Sequence, residues 1–181
     1  MSMQGRGIRE VSKFYLVMAV LFWLMTALCV VLIFSFSSDD GYTSSNLSQS
    51  IVLWIREHIF GFEVTELMVR KLAHVTEFSI LALLTFLSFY CTNKISVETS
   101  YAESTMKILK SDNEMNIGMS LWFCILVAIF DEYHQLFVYQ RSGSIVDVGI
   151  DCIGIVTILL IIRIIFTIYL RRMGKEEIRY D

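Results

Sequence analysis

Four long apolar runs alternate with polar segments along the chain, and each run has the length of a membrane-spanning helix. We predict spans at residues 14–36, 70–90, 117–139 and 145–170, because about 20 apolar residues cross the hydrocarbon core of a bilayer. The first run is too long for the apolar part of a signal peptide, so we expect an uncleaved helix. The pattern predicts an all-α, polytopic membrane protein with four transmembrane helices.

A shorter helix with one apolar face is predicted between the first two spans. Its apolar positions recur at helical spacing at Ile51, Trp54, Ile55 and Ile59. The charged or polar residues 56–58 lie between them, which indicates an amphipathic helix in the membrane interface with Trp54 at headgroup depth. We expect the Ser-rich stretch 34–50 to form a turn and the polar segment 93–116 to be a connecting loop.

The composition supports the membrane assignment, since 55% of the 181 residues are hydrophobic and only 18% are charged. The net charge of −3 and the confinement of basic residues to short clusters beside apolar runs argue against a nucleic-acid partner. The four cysteines lie in or at the ends of apolar runs without a CxxC pair. We therefore predict that they are packing residues and form no disulfide framework.

The distribution of basic residues predicts the orientation of the helices. Ten of the fifteen Lys and Arg residues lie at the two ends of the chain and in segment 93–116. The positive-inside rule then predicts a multi-pass protein of the cell membrane with both termini in the cytoplasm. We expect one membrane domain at residues 14–170, flanked by basic cytoplasmic tails at 1–13 and 171–181. Arg163 lies near the cytoplasmic end of its helix, where its side chain can snorkel to the interface.

Each of the last three spans carries polar residues on one helical face. On the second span this face holds Arg70, His74 and Glu77. On the third span it holds Asp131, His134 and Gln135, with Glu132 at its edge. On the fourth span it holds Asp147 and Asp151 between Gly143 and Gly154, and the glycines allow close helix approach. All three faces lie in the extracytoplasmic half of the predicted bundle.

Convergence of these faces would form a pocket open to the extracytoplasmic side. Its rim would be basic, with Arg70, Lys71 and Arg141, and an acidic layer would lie below it. The candidate binding residues are Arg70, Lys71, His74, Glu77, Asp131, Glu132, Gln135, Arg141, Asp147 and Asp151. Charged side chains are costly at membrane depth, so this group is expected to be functional.

The residues leave four interpretations of the pocket open. A buried polar network could fix the packing of the helices. A metal could bind His74, Glu77, Asp131 and His134, whose spacing on the helices suits shared ligation, although we predict no cofactor. Glu77 and either Asp131 or Glu132 could act as catalytic acid and base, since neighbouring carboxylates can divide these roles. The rim arginines could bind a phosphate or carboxylate headgroup.

The motifs that contain these residues resemble those of the VanZ-like family of bacterial membrane proteins, named for a teicoplanin-resistance protein. The resemblance covers residues 14–170. Its segments are F-x-x-S at Phe34 and Ser37, R-K-x-x-H-x-x-E-F at 70–78, D-E-x-x-Q-x-F at 131–137, the following Arg141, and D-x-x-x-D-x-x-G at 147–154. Asp39 replaces a Gln expected in the first loop, which leaves the role of that loop open. Ile158 replaces a small residue expected after Gly154, which weakens the expectation of close packing deeper in the fourth span.

The resemblance implies a multi-pass cell-membrane protein of a family whose namesake is linked to lowered susceptibility to glycopeptide antibiotics that carry a lipid tail. We expect an outward-facing pocket that binds or shields against a lipid or an amphiphilic small molecule, such as a teicoplanin-like antibiotic, at the outer leaflet. The alternative is a membrane enzyme that modifies an outer-leaflet lipid or a cell-wall precursor by carboxylate acid/base or metal-assisted chemistry. A transporter is disfavoured because the inner halves of the spans offer few polar residues for a path.

Overall fold

The described part of the chain folds into five helices. The computed structural model describes residues 12–39, 41–58, 63–95 and 102–177. The helices are α1 (Lys13–Ser37), α2 (Gly41–His58), α3 (Glu66–Lys94), α4 (Ala102–Gln135) and α5 (Ile145–Glu177). All except α2 are long and apolar enough to cross a membrane, and the described residues contain no β-strand. The predicted all-α, multi-pass membrane fold is therefore confirmed.

Helix α3 lies at the centre of the bundle and packs against the other four helices. Its buried core residues Phe78, Leu81 and Ala82 belong to one apolar cluster with residues of α4 and α5. Helix α5 approaches α3 closely at Gly154, where the backbone carbonyl of Val75 occupies the space that a Cβ atom would need. The close helix approach predicted from the glycines is confirmed at this position.

Polar side chains join the helices at the end of the bundle opposite the predicted pocket. Trp23 Nε1 donates to Thr92 Oγ1 at 3.1 Å, and Asn93 donates to the side chain of Asn116. Arg163 forms an ion pair with Glu114 at 3.0 Å between Nε and Oε1. Interhelical hydrogen bonds of this kind stabilise helix association in membranes. Arg163 thus has an ion-pair partner on α4. The expectation that its side chain only snorkels to the interface did not include this partner.

Several element boundaries differ from the predictions. The expected turn at 34–50 is wrong at both ends, because α1 continues to Ser37 and α2 begins at Gly41. Most of the expected loop at 93–116 is also helical, since α3 continues to Lys94 and α4 begins at Ala102. Helix α4 ends at Gln135 instead of residue 139, and α5 extends to Glu177 in the predicted tail. Helix ends that lie outside the hydrocarbon core need no regular spacing of apolar residues. Their polar sequences therefore resemble those of loops.

Helix α2 has the amphipathic character predicted for it. Ser48 and Val52 are buried, whereas Leu47, Ile51 and Trp54 form an exposed apolar stripe. Such a stripe on a short helix suits the boundary between headgroups and acyl chains. Ile59, assigned to the same apolar face, lies outside the described residues, as do residues 1–11 of the predicted N-terminal tail.

Candidate functional site

Polar residues of α3, α4 and α5 meet at the end of the bundle where α1 ends. Asp131 and Asp151 are fully buried, Glu132 is nearly so, and His74 is partly buried. His74, Asp131 and Glu132 each place one nitrogen or oxygen atom within 4.8 Å of the other two. Asp151 Oδ1 lies 3.4 Å from His74 Nδ1. We refer to these four residues as the carboxylate cluster.

The side chain of Gln135 orients two carboxylates of the cluster. Its Nε2 lies 3.0 Å from Asp131 Oδ2 and 3.3 Å from Glu132 Oε1, and it also lies 3.3 Å from the hydroxyl of Ser37. The backbone N–H of Ser144 donates to the other oxygen of Glu132 at 2.9 Å. An amide has only two hydrogens, so Gln135 divides them among three acceptors. Gln135 thereby links α4 to the end of α1.

Other atoms of the carboxylate cluster receive no hydrogen bond from the described residues. They are both carboxylate oxygens of Asp151, Asp131 Oδ1 and His74 Nδ1. The contact between His74 and Asp151 has the distance of an ion pair but lacks hydrogen-bond geometry. Burying a polar atom without a partner costs about 1–3 kcal/mol, and an ionised carboxylate costs more. A proton, a water molecule or a cation would satisfy these atoms.

Arg141 binds the C-terminal end of α1. Its Nε donates to the carbonyl oxygen of Asp39 at 3.0 Å, and its Nη2 donates to that of Phe36 at 3.1 Å. Carbonyl groups at a helix C-terminus lack intrahelical partners and carry partial negative charge, which a guanidinium complements. Burial lowers the pKa of Arg141, the neighbouring Arg70 lowers it further, and Asp131 opposes the shift. A guanidinium stays protonated in proteins, so Arg141 remains a cation.

The other two predicted rim cations have different environments. Lys71 Nζ forms a salt bridge with Asp147 Oδ1 at 3.1 Å, and both side chains are about 40% exposed (37% and 38%). Arg70 is exposed and forms no ion pair with any residue in the described part of the chain. The positive charge of Lys71 is therefore engaged by Asp147, while Arg70 has no salt bridge within the described part of the chain.

His134 is not among the residues whose ligand atoms lie within 4.8 Å of one another, and it contacts Ser38 instead. Its Nε2 lies 3.0 Å from Ser38 Oγ, whose single hydroxyl hydrogen is donated to the carbonyl oxygen of Phe34 at 2.6 Å. Ser38 must therefore accept from His134, which places a proton on Nε2. Of the four residues considered for a metal, only His74 and Asp131 belong to the carboxylate cluster, and Glu132 joins them instead of Glu77 and His134.

A cavity of about 210 Å³ opens beside the cluster, between the end of α1, α2, α3 and the turn that joins α4 to α5. Its charged or titratable lining residues include Arg70, His74, Glu77 and Arg141, and we call it the polar cavity. Three of these residues come from the motif at 70–78, and Arg141 is the arginine that follows the third segment. Asp131, Glu132, Gln135, Asp147 and Asp151 do not line it. The predicted pocket thus separates into a cavity and a buried layer.

An apolar groove of about 320 Å³ runs between α1 and α3. It is lined by the apolar residues Leu28, Leu32, Ile33, Phe36, Ile80 and Leu84, among others. Glu77 is its one charged lining residue among those described. Phe36 and Glu77 also line the polar cavity, so the cavity and the groove meet at these two side chains.

The family model described as VanZ/LLP1 matches residues 22–166, which include parts of all four spans and every residue of the site. The chain belongs to the VanZ/LLP1 family. This confirms the family predicted from the motifs. No curated protein and no solved structure matches the chain.

The VanZ motifs meet in the structure through specific contacts. Ser37 of the first segment accepts from Gln135, and the arginine that follows the third segment binds the end of α1. Asp39, which stands where a Gln was expected, contacts Arg141 through its backbone carbonyl. The contact of the first loop with Arg141 therefore does not depend on the side chain at position 39.

Two features of the site were missed by reasoning from the sequence. The apolar groove has no sequence signal, because all lipid-facing positions of α1 are apolar whether or not they line a groove. The contact of the Ser144 backbone with Glu132 depends on Gly143, where a Cβ atom would collide with the backbone of Glu132. The glycine at position 143 was the available signal for this close approach, although not for the hydrogen bond.

Proposed function

We propose that this VanZ/LLP1 protein binds an anionic amphiphile, with its headgroup in the polar cavity and a hydrocarbon chain in the apolar groove. The observation that supports this most directly is the junction at Phe36 and Glu77, which line both spaces. A single molecule with a charged head and an apolar chain matches a polar cavity that continues into an apolar groove. A purely polar ligand would leave the groove unused.

The arginines of the polar cavity favour an anionic headgroup. Arg70 has no ion-pair partner among the described residues, and Arg141 uses Nε and Nη2 on α1 while retaining further N–H donors. Guanidinium groups bind phosphate and carboxylate oxygens in a bidentate manner. His74 and Glu77 would then meet hydroxyl or amine groups of the same headgroup. The proposed ligand is therefore an acidic lipid or a similarly built amphiphile.

The cavity would face the outside of the cell in this proposal. The basic residues concentrate at the chain ends and around segment 93–116, which lies at the opposite end of the bundle from the cavity. The positive-inside rule places that end in the cytoplasm. The ligand would then enter from the outer leaflet, where a lipid-tailed glycopeptide also resides.

Binding can be tested on the purified full chain by native mass spectrometry from detergent micelles. We expect phosphatidylglycerol to bind in preference to phosphatidylcholine of the same chain length. Arg70→Gln should reduce this preference about five- to tenfold, since a charge-assisted contact contributes about 1.5–3 kcal/mol in a sheltered site and less in an exposed one. Arg163→Gln is the matched control, because Arg163 pairs with Glu114 away from the cavity. Equal loss in both variants, or no lipid preference, would contradict the proposal.

A cellular test addresses the antibiotic expected from the resemblance. A sensitive host would express either the protein or its Glu77→Gln variant at matched membrane levels. We expect protection against teicoplanin but not against vancomycin, which lacks the lipid tail, and loss of protection in the variant. Protection against both drugs would contradict recognition of an amphiphile. Absence of protection against either would exclude the resistance role for this protein.

Chemistry on the bound lipid is the second candidate function. It is favoured by His74, which lines the polar cavity and also belongs to the carboxylate cluster. Glu77 and either Asp131 or Glu132 would then act as acid and base. This alternative predicts a chemically altered lipid in expressing cells that disappears in Glu77→Gln, whereas binding alone leaves the lipid composition unchanged. Mass spectrometry of extracted lipids distinguishes the two.

A further inference from the structure

His74, Asp131 and Glu132 have the arrangement of metal ligands. They lie on two different helices, α3 and α4, and their ligand atoms are all within 4.8 Å of one another. Both carboxylates are at least 95% buried, with exposed fractions of 0% and 5%. Ligand atoms around a small divalent ion are separated by about 3–3.5 Å when the bonds are about 2.1 Å long. Small side-chain movements would bring the three atoms to that separation.

The environment of Asp151 independently points to a cation ligand at the cluster. Asp151 is fully buried, neither of its carboxylate oxygens receives a hydrogen bond from a described residue, and it points toward His74. Asp131 Oδ1 is unpartnered as well. Lys71 pairs with Asp147 and Arg141 donates to carbonyl groups of α1, so neither forms a salt bridge with the cluster. Two fully buried carboxylates and one nearly buried carboxylate therefore lie beside one imidazole, without a salt bridge to a lysine or arginine of the described residues.

We propose that the carboxylate cluster binds one divalent transition-metal ion, Mn²⁺ or Zn²⁺, through His74, Asp131 and Glu132. One imidazole with two carboxylates forms a mixed nitrogen and oxygen set, which suits these ions better than the all-oxygen sites typical of Mg²⁺ and Ca²⁺. A dication offsets two of the three carboxylate charges. Asp151 contacts the imidazole of His74, as carboxylates commonly do to orient metal-binding histidines.

The hydrogen bonds around the cluster agree with this assignment. Gln135 and the backbone of Ser144 hold three of the four carboxylate oxygens of Asp131 and Glu132. The fourth oxygen, Asp131 Oδ1, has no donor and is free to ligate. Oxygens that accept one hydrogen bond retain a lone pair for a metal. This inference does not depend on the proposed binding of an amphiphile.

Metal titration of the full chain tests the inference. The protein would be purified in detergent, stripped with a chelator and titrated with MnCl₂ or ZnCl₂ in a calorimeter. We expect one equivalent of Mn²⁺ or Zn²⁺ per chain and at least a tenfold loss of affinity in His74→Gln. His134→Gln is the matched control and should bind as the wild type does, because His134 bonds to Ser38. Absence of saturable binding, or equal loss in both variants, would overturn the inference.

A measurement on the wild type avoids dependence on the folding of the variants. Electron spin-echo spectroscopy of the Mn²⁺-loaded chain reports nuclei bonded to the metal. We expect modulation from the ¹⁴N nucleus of one imidazole. A spectrum with water and carboxylate ligands alone would overturn the assignment of His74.

Discussion

Arg141 Nη2 donates a hydrogen bond to the carbonyl oxygen of Phe36 at 3.1 Å, which joins the turn between α4 and α5 to the end of α1. Phe36 lines both the polar cavity and the apolar groove. Gly41 at the start of α2 reinforces the same junction, because its N–H donates to the carbonyl oxygen of Tyr139 at 3.2 Å. Arg141 thus positions the point where the two spaces meet. This positioning role is separate from the role of its charge.

Replacement of Arg141 by lysine tests this positioning role. A lysine keeps the charge but replaces two separate donor nitrogens, which contact the carbonyls of Phe36 and Asp39, by a single nitrogen without the planar fork. We expect a loss of about 1–2 kcal/mol in the free energy of unfolding. Thermal unfolding in detergent measures it, with Arg163→Lys as the control, since that exposed ion pair should contribute less. Equal stability of Arg141→Lys and wild type would contradict the role.

The contact of α5 with α3 predicts different effects for two glycines on the same helix. A methyl group at position 154 would collide with the backbone carbonyl of Val75, whereas nothing lies within 4 Å of the corresponding point at Gly149. Gly154→Ala should therefore destabilise the protein by about 1–3 kcal/mol. Gly149→Ala should be neutral or stabilising by up to about 1 kcal/mol. Similar unfolding midpoints for the two variants would disprove the close packing.

Asp147 and Asp151 lie one turn apart on α5 but should respond differently to amidation. Asp147→Asn weakens a half-exposed salt bridge and should cost less than about 1 kcal/mol. Asp151→Asn removes a buried carboxylate that has no hydrogen-bond donor, so the chelator-treated protein should keep or gain stability. Chemical unfolding of both variants in chelator compares them. A loss of several kcal/mol in Asp151→Asn would show instead that Asp151 forms a stabilising ion pair with His74.

Gln135 should be required for stability because it donates to buried acceptors on α4 and α1. Gln135→Met preserves the approximate shape of the side chain. It removes the two amide hydrogens that Gln135 donates to Asp131, Glu132 and Ser37. We expect a loss of about 1–3 kcal/mol in the free energy of unfolding. Gln49→Met changes an exposed glutamine of α2, whose side chain bonds to Glu66, and serves as the control for an exposed contact. A loss no larger than that of Gln49→Met would contradict the network.

The order of the spans and the faces that meet could be predicted from the sequence, because helical spacing determines which residues share a face. His74, Asp131 and Asp151 were predicted to converge, and the structure places them together. Helix ends were less predictable. Asn113 and Asn116 are buried in α4, although their polar sequence resembles a loop, because Asn93 of α3 pairs with Asn116.

The division of the site into a cavity, a groove and a buried cluster could not be predicted from spacing alone. His134 shares the helical face of Asp131, yet its imidazole contacts the hydroxyl of Ser38 at the end of α1. It is not among the residues that MnCl₂ or ZnCl₂ is expected to engage with His74. Lys71 follows Arg70 directly in sequence but is paired with Asp147. These outcomes depend on the partners available on neighbouring helices, which a helical pattern does not specify.

Photo-crosslinking with a phosphatidylglycerol that carries a diazirine in one acyl chain tests most directly whether one molecule occupies both spaces. We predict that crosslinks on the purified chain concentrate on the groove residues of α1 and α3, including Leu28, Leu32 and Ile80. Arg70→Gln should reduce them while Arg163→Gln should not, because the headgroup contact holds the chain in place. Crosslinks spread evenly over the lipid-facing residues of α1, α3 and α5, or unaffected by Arg70→Gln, would contradict a combined site for head and chain.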